Sequence, residues 1–278
     1  ALSINLAILL IGNNLIHLLA IFAVAVIYFI RNKDWKVIAF ILSCVFLMSA
    51  SKSVITNYYE VKSQKEIAEG VPKITWIAMG MQEGEREAGW WNRFNYDIMP
   101  EEEYDTKRIT EISKTSMKQR LNVFRDNPKY ALDFYQRKYE NQFIEPTFQS
   151  LLVTAPQRNF SNETTLEKIR DFFVKQIYFN HTHTVLEFIM KVFQVFVYLF
   201  TFVFAVVMYK RKNEFFAIIP IAFIGGTLFN MIWEAKSRYI FPYFVFLIPL
   251  SAYGLVIVRN KIKEYKKLKE EKDEKSTI

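Results

Sequence analysis

The sequence is poor in cysteine, histidine, glycine and proline. Its 278 residues include one cysteine, three histidines, and eight each of glycine and proline. A single cysteine excludes an intrachain disulfide, so no region can be a disulfide scaffold. An outer domain built without disulfides fits a bacterial envelope, a Gram-positive one in particular, better than a eukaryotic secretory protein. Cys44 lies within an apolar run, where a thiol packs as a small hydrophobe. The histidines do not assemble a metal set: His181 and His183 have only Glu187 as a nearby acidic or thiol partner. No metal site and no cofactor is visible in the sequence, and a requirement for a divalent metal stays open. No charged segment precedes the first apolar run and no A-x-A pattern follows it, which excludes a cleaved signal peptide. The chain starts at Ala1 and is expected to be a portion of a longer protein.

Apolar residues make up 51% of the chain, an ordinary share for a soluble protein. Their distribution is not ordinary, because they are bunched in long runs at the two ends and leave a polar middle. A helix needs about 20 apolar residues to cross the hydrocarbon core. Residues 4–30, 36–55, 187–209, 215–233 and 239–258 reach or approach that length, the second least convincingly. Pro220, Pro242 and Pro249 fall inside these stretches, which membrane helices tolerate because neighbouring groups satisfy the freed carbonyls. The expected fold class is mainly α: a polytopic transmembrane bundle of about five spans, with a mostly helical extracytoplasmic domain containing a short strand.

Basic clusters at Arg31, Lys33 and Lys36, at Lys210, Arg211 and Lys212, and along the tail from Arg259 to Lys275 set the orientation. With all three in the cytoplasm of a cell membrane, two helices over residues 1–55 lead to an extracytoplasmic domain over 56–185. Three helices over 186–258 then lead to a basic cytoplasmic tail over 259–278. Residues 56–185 carry 18 Lys and Arg against 19 Asp and Glu, while the other 18 basic residues meet only 9 acidic ones. The positive excess thus flanks the membrane, which argues against nucleic acid as a partner and for membrane lipids.

Within the polar segment, residues 73–81 (KITWIAMGM) follow Pro72 and read as a short buried strand. Helical spacing of Ile109, Ile112, Met117, Leu121 and Phe124 predicts a helix over 105–124. Pro128 opens a second helix, with Leu132, Tyr135 and Tyr139 on one side. Thr164 and Glu167 form a capping box for a third, with Ile169, Phe172, Phe173 and Ile177 inward.

Two patches carry chemistry. Trp90, Trp91 and Asn92 form a loop whose flat aromatics either stack on a sugar ring or anchor at the bilayer interface. The second is WEAKSRY, residues 233–239, which packs Glu234, Lys236 and Arg238 into a short loop between two membrane helices. Arg offers a planar fork and Lys a point charge, both suited to phosphate, and a phospholipid carrier presents its phosphate at this depth. Snorkelling flank charges would give the same composition. Intramembrane Asn13, Asn14 and His17 read as packing groups.

EAKSRYIFPYFVFLIPLSAYGL (234–255), VPKITWIAMGMQEGEREAGWWNRFNYD (71–97) and FIEPTFQS (143–150) resemble Gram-positive members of the GT-C glycosyltransferase superfamily. These are polytopic enzymes related to protein O-mannosyltransferases and aminoarabinose transferases. The E-x-K-x-R-Y loop is similar to their last extracytoplasmic loop; at Phe143 many relatives would have Trp. The resemblance implies transfer of a sugar from a polyprenyl-phosphate donor to an envelope acceptor, such as a cell-wall polymer, lipid or protein. Lys236 and Arg238, with Tyr239 and Glu234, would hold the donor phosphate, and Trp90, Trp91 and Asn92 would contact sugar or acceptor. The family's general base lies in its first extracytoplasmic loop, expected upstream of Ala1, so this portion alone would be inactive. Two alternatives stay open: a non-enzymatic membrane protein that binds or senses an envelope glycan, and a polysaccharide polymerase, ligase or transport component.

Overall fold

Capping residues mark the helices of the polar segment as clearly as hydrophobicity marks the others. Asp105 accepts the backbone N–H groups of Lys107 and Arg108 at 2.8 and 3.2 Å, and Asn127 accepts that of Tyr130 at 3.1 Å. Thr164 and Glu167 close the expected capping box, each accepting the other's N–H. The computed structural model describes residues 1–67, 70–154, 164–179, 181–211 and 214–276, leaving aside the side chains of 152, 153 and 273–276. Lys212 and the side chain of Lys275 lie outside what is described.

Among the described residues there are twelve α-helices and no strand: α1 (Leu2–Leu10), α2 (Leu15–Asn32), α3 (Lys36–Ser63), α4 (Lys73–Gly80), α5 (Phe94–Glu101), α6 (Thr106–Asp126), α7 (Pro128–Glu140), α8 (Ser150–Thr154), α9 (Thr165–Tyr178), α10 (His181–Lys210), α11 (Ile218–Ile232) and α12 (Ser237–Ser276). Five stretches, at Gly12–Asn32, Lys36–Ser63, His181–Lys210, Glu214–Ile232 and Ser237–Lys272, are long and apolar enough to cross a membrane, with mean hydropathy of 2.0 to 2.2. Their side chains are mostly exposed within the chain, as lipid-facing surfaces are. Pro242 and Pro249 lie inside the unbroken α12.

Residues 73–80 form α4 and not the expected strand. A short apolar run rich in β-branched residues does not declare its period, and burial decides it. The buried positions Thr75, Ala78 and Met79 share one helical face, packed against α6. The buried face of α7 centres on Phe134 and Lys138. Phe134 and Lys138 are buried with Ala131 and Tyr135 beside them, while Leu132 and Tyr139 are exposed. On α9, Ile169, Phe172 and Phe173 are exposed, not inward. The first apolar run is broken rather than continuous: Ile11 is extended, Gly12–Asn14 form a 3-10 turn, and Asn14 donates its amide to the Ala7 carbonyl at 2.8 Å.

The chain divides into two compact units, residues 1–142 with 214–236, and residues 143–213 with 237–278. In the first, α2 packs against α11 and α3, and Arg31 pairs with Glu214 at 2.8 Å. Met81, Ala88, Phe124 and Phe134 form a core between α6, α7 and the loop after α4. A polar stripe on α6 fixes α4 in place. Ser113 bonds Thr75 at 3.0 Å, Ser116 accepts from Gln82 at 2.7 Å, and Arg120 donates to the Met81 carbonyl at 2.6 Å. In the second unit α10 packs along α12, with Gly254 so close to the Phe200 carbonyl that a Cβ would lie 2.0 Å from its oxygen. Close approach at small residues is how membrane helices pack without a hydrophobic driving force.

Candidate functional site

The first unit gathers three separated pieces of sequence around buried charge. Helix α11 ends at Ile232, and its last turn stacks aromatics: Trp233 lies 5.2 Å from Phe229 and 6.3 Å from Trp76, both nearly parallel. The chain then runs extended past the end of α4. Ala235 donates its N–H to the Gly89 carbonyl at 3.0 Å, tying the 234–236 loop to the tryptophan loop. Gly80 makes this approach possible, since a Cβ there would lie 2.4 Å from the Trp233 carbonyl oxygen. Gly89 has φ of +68°, and its Cβ would lie 2.6 Å from the Lys138 side chain.

Three ionisable groups converge at this junction. Glu234, 3% exposed, forms an ion pair with Lys236, 8% exposed. Lys138, fully buried on α7, donates its ammonium to the Gly80 carbonyl. Burial pulls the Lys138 pKa down to about 7, although the Glu234 carboxylate works against the shift. The Lys236 ammonium also sits 5.7 Å from the centre of the Trp90 ring, a cation–π distance, and Arg86 approaches the same ring at 5.6 Å. The Trp90 indole N–H is buried with no hydrogen-bond acceptor among the described residues. Trp90 thus lies beside Lys236 at this junction. Trp91 is half-buried. Asn92 holds the loop itself together, donating to Gln82 at 3.2 Å and accepting the Phe94 N–H at 3.1 Å.

The WEAKSRY segment is split by the division between the units, which falls between Lys236 and Ser237. In the second unit Arg238 is exposed on the first turn of α12, its guanidinium 5.2 Å from the Tyr239 ring. Ser237 is fully buried and donates to Glu145 at 3.3 Å. Glu145 also accepts the Thr147 N–H at 2.8 Å, the Thr147 hydroxyl and the Gln149 N–H. This knot forces Phe148 and Gln149 into left-handed backbone, with φ of 53° and 60°. A cleft of about 350 Å³ opens beside it, lined by Glu145, Pro146, Thr184, Glu187, Phe188 and Lys191 among others. Glu187 lies 3.5 Å from His183, whose Nδ1 meets the Ile177 carbonyl at 2.8 Å. No group of three or more potential metal ligands occurs among the described residues.

Sequence reasoning missed Lys138 and Glu145. The signal for Lys138 was its position four residues after Phe134, a lysine on an apolar helical face. For Glu145 it was membership in FIEPTFQS, where a carboxylate precedes Pro146 and potential donors follow.

A family model described as conserved hypothetical integral membrane protein matches residues 1–255. The chain belongs to that family. No curated protein and no solved structure matches it. The match takes in the whole polar segment, the first four candidate spans and most of the apolar part of the fifth, so the protein is an integral membrane protein whose apolar helices meet lipid. Both Lys138 and the Glu234–Lys236 pair fall within the family's bounds.

Proposed function

We propose that this integral membrane protein is the C-terminal part of a GT-C-type glycosyltransferase that engages a polyprenyl-phosphate sugar donor. The observation that carries this reading is the junction of Lys236, Glu234, Lys138 and Trp90. Two ammonium groups, one carboxylate and one indole donor lie together at the end of a membrane-crossing helix. Two of its three pieces, 76–90 and 234–236, belong to patches that carry the sequence resemblance, and Lys138 on α7 lies outside them.

The chemistry follows from charge. Lys236 would turn from Glu234 toward the donor phosphate, and the Trp90 N–H would supply a neutral donor to an oxygen. Lys138 sits near its titration midpoint at neutral pH, so an anion beside it restores the protonated form and adds a second positive charge. In sugar transfer the carrier phosphate leaves with growing negative charge, which preorganised ammonium groups stabilise. Trp90 and Trp91 would face the sugar or the acceptor, and exposed Arg238 would be a further cation for phosphate. In this reading the 56–185 segment is extracytoplasmic, the tail is cytoplasmic and the acceptor is an envelope component.

The test is binding of a short-chain polyprenyl phosphate to the full-length protein in lipid nanodiscs. The Lys236→Met variant should bind at least about tenfold more weakly, the scale of one charge-assisted contact. Equal affinity of wild type and Lys236→Met, or no binding by either, overturns the assignment.

A further inference from the structure

Helix α9 carries an apolar stripe that the described residues of its unit leave largely uncovered. Leu166, Ile169, Phe173 and Ile177 recur at helical spacing, and Phe172 flanks them. Leu166 is 80% exposed and Phe173 is 57% exposed, with Ile169, Phe172 and the following Phe179 similarly open. The opposite face holds Lys168, Asp171 and Lys175; Asp171 is the one buried residue of the helix and pairs with Arg170 at 2.8 Å. The polarity is inverted relative to a helix packed on a protein core.

Chain continuity identifies what meets this stripe. Helix α9 ends at Tyr178, and α10, apolar enough to span a membrane, begins at His181. The three Cα–Cα steps from Tyr178 to His181 reach at most about 11 Å, so the end of α9 stays near the level where α10 enters the bilayer. Amphipathic helices of this kind lie in the interface plane, with aliphatic and aromatic side chains among the upper acyl groups and basic residues among the headgroups. We infer that α9 is an interfacial helix whose Leu166, Ile169, Phe172 and Phe173 face is inserted into the bilayer surface, with Lys168 and Lys175 directed to anionic headgroups. The inference stands independently of any sugar-transfer chemistry. It gives the polar segment a membrane-lying support immediately before α10.

Depth-resolved quenching tests it. The full chain is prepared with Phe173→Cys or Lys175→Cys, labelled with an environment-sensitive fluorophore and reconstituted in phosphatidylcholine–phosphatidylglycerol vesicles. The parent chain measures any labelling of buried Cys44. Lipids brominated near the headgroup end of the acyl chain should quench the probe at 173 at least about twofold more than at 175, and aqueous iodide should show the reverse order. Iodide quenching at 173 as strong as at 175 places the stripe in water. Protection of 173 from both quenchers places it against protein. Either result overturns the inference. If Phe173→Cys does not fold, Ile169→Cys on the same stripe replaces it.

Discussion

The Lys138 ammonium donates to the carbonyl of Gly80, with the loop at Gly89 against the lysine stem. This one contact joins α7, the end of α4 and the tryptophan loop. It also buries a titratable group outside the membrane-crossing helices, with consequences for pH.

Burial lowers the Lys138 pKa in the folded protein to about 7 from an ordinary 10.5. Between those values the unfolded chain binds more protons than the folded one, so this group makes stability rise with pH. Below about pH 7 the buried charge is carried in full and its cost is greatest. The full swing is on the order of 5 kcal/mol, taking 1.4 kcal/mol per pK step. Thermal unfolding of wild type and Lys138→Met in detergent from pH 6 to 10 should therefore diverge, with wild type gaining on the variant as pH rises. A constant difference across that window removes Lys138 as a buried titrating group.

The glycines that let the loops meet should be intolerant of even one methyl group. Gly89→Ala combines a left-handed backbone with contacts under 3 Å to Lys138 and the Gly80 carbonyl, and Gly80→Ala drives a Cβ into the Trp233 backbone. Each should cost on the order of 2 kcal/mol or more, because backbone atoms yield little. Gly12→Ala, with no atom within 4 Å of the new Cβ, is the internal control and should stay within about 0.5 kcal/mol. Equal melting temperatures for Gly12→Ala and Gly80→Ala contradict the packing described.

The spans were legible because long apolar runs admit few alternatives, and the capping box at Thr164 and Glu167 was legible because capping is local chemistry. What failed had non-local causes. The segment at 73–80 is apolar and β-branched enough for a strand, and only its packing against α6 selects the helix. The buried face of α7 was not legible because it includes a lysine, Lys138, whose burial depends on a carbonyl 58 positions away. Glu234 and Lys236 were visible as charges of one loop, but their pairing, burial and junction with Trp90 come with the Gly89–Ala235 contact, which no spacing rule reveals.

The Glu234–Lys236 pair should be strongly coupled. Both residues are buried, so removing either partner leaves an uncompensated charge, whereas removing both leaves none. Glu234→Gln and Lys236→Met should each destabilise by about 3 kcal/mol, and the double variant by less than the sum. A double-mutant cycle by thermal or denaturant unfolding measures the coupling. An additive cycle, within about 0.5 kcal/mol, shows that the two charges do not depend on each other.

Exposure separates two cations that are two residues apart in sequence. Arg238 is open on the first turn of α12, while Lys236 is closed in by Glu234 and Trp90. With the native thiol Cys44 buried, an introduced cysteine reports its own surroundings against a low background. Arg238→Cys should react rapidly with a membrane-impermeant maleimide, and Lys236→Cys should react at least about tenfold more slowly, because only a solvated thiolate attacks. In intact cells the same reagent reads orientation. The basic clusters at Arg31, at Lys210 and along the α12 tail call for reaction of Arg238→Cys from outside, without permeabilisation. Labelling that appears only after the membrane is opened puts this end of α12 in the cytoplasm. It would then remove the outer-leaflet donor from the proposed function, while leaving the buried Lys138–Glu234–Lys236 arrangement as a matter of folding alone.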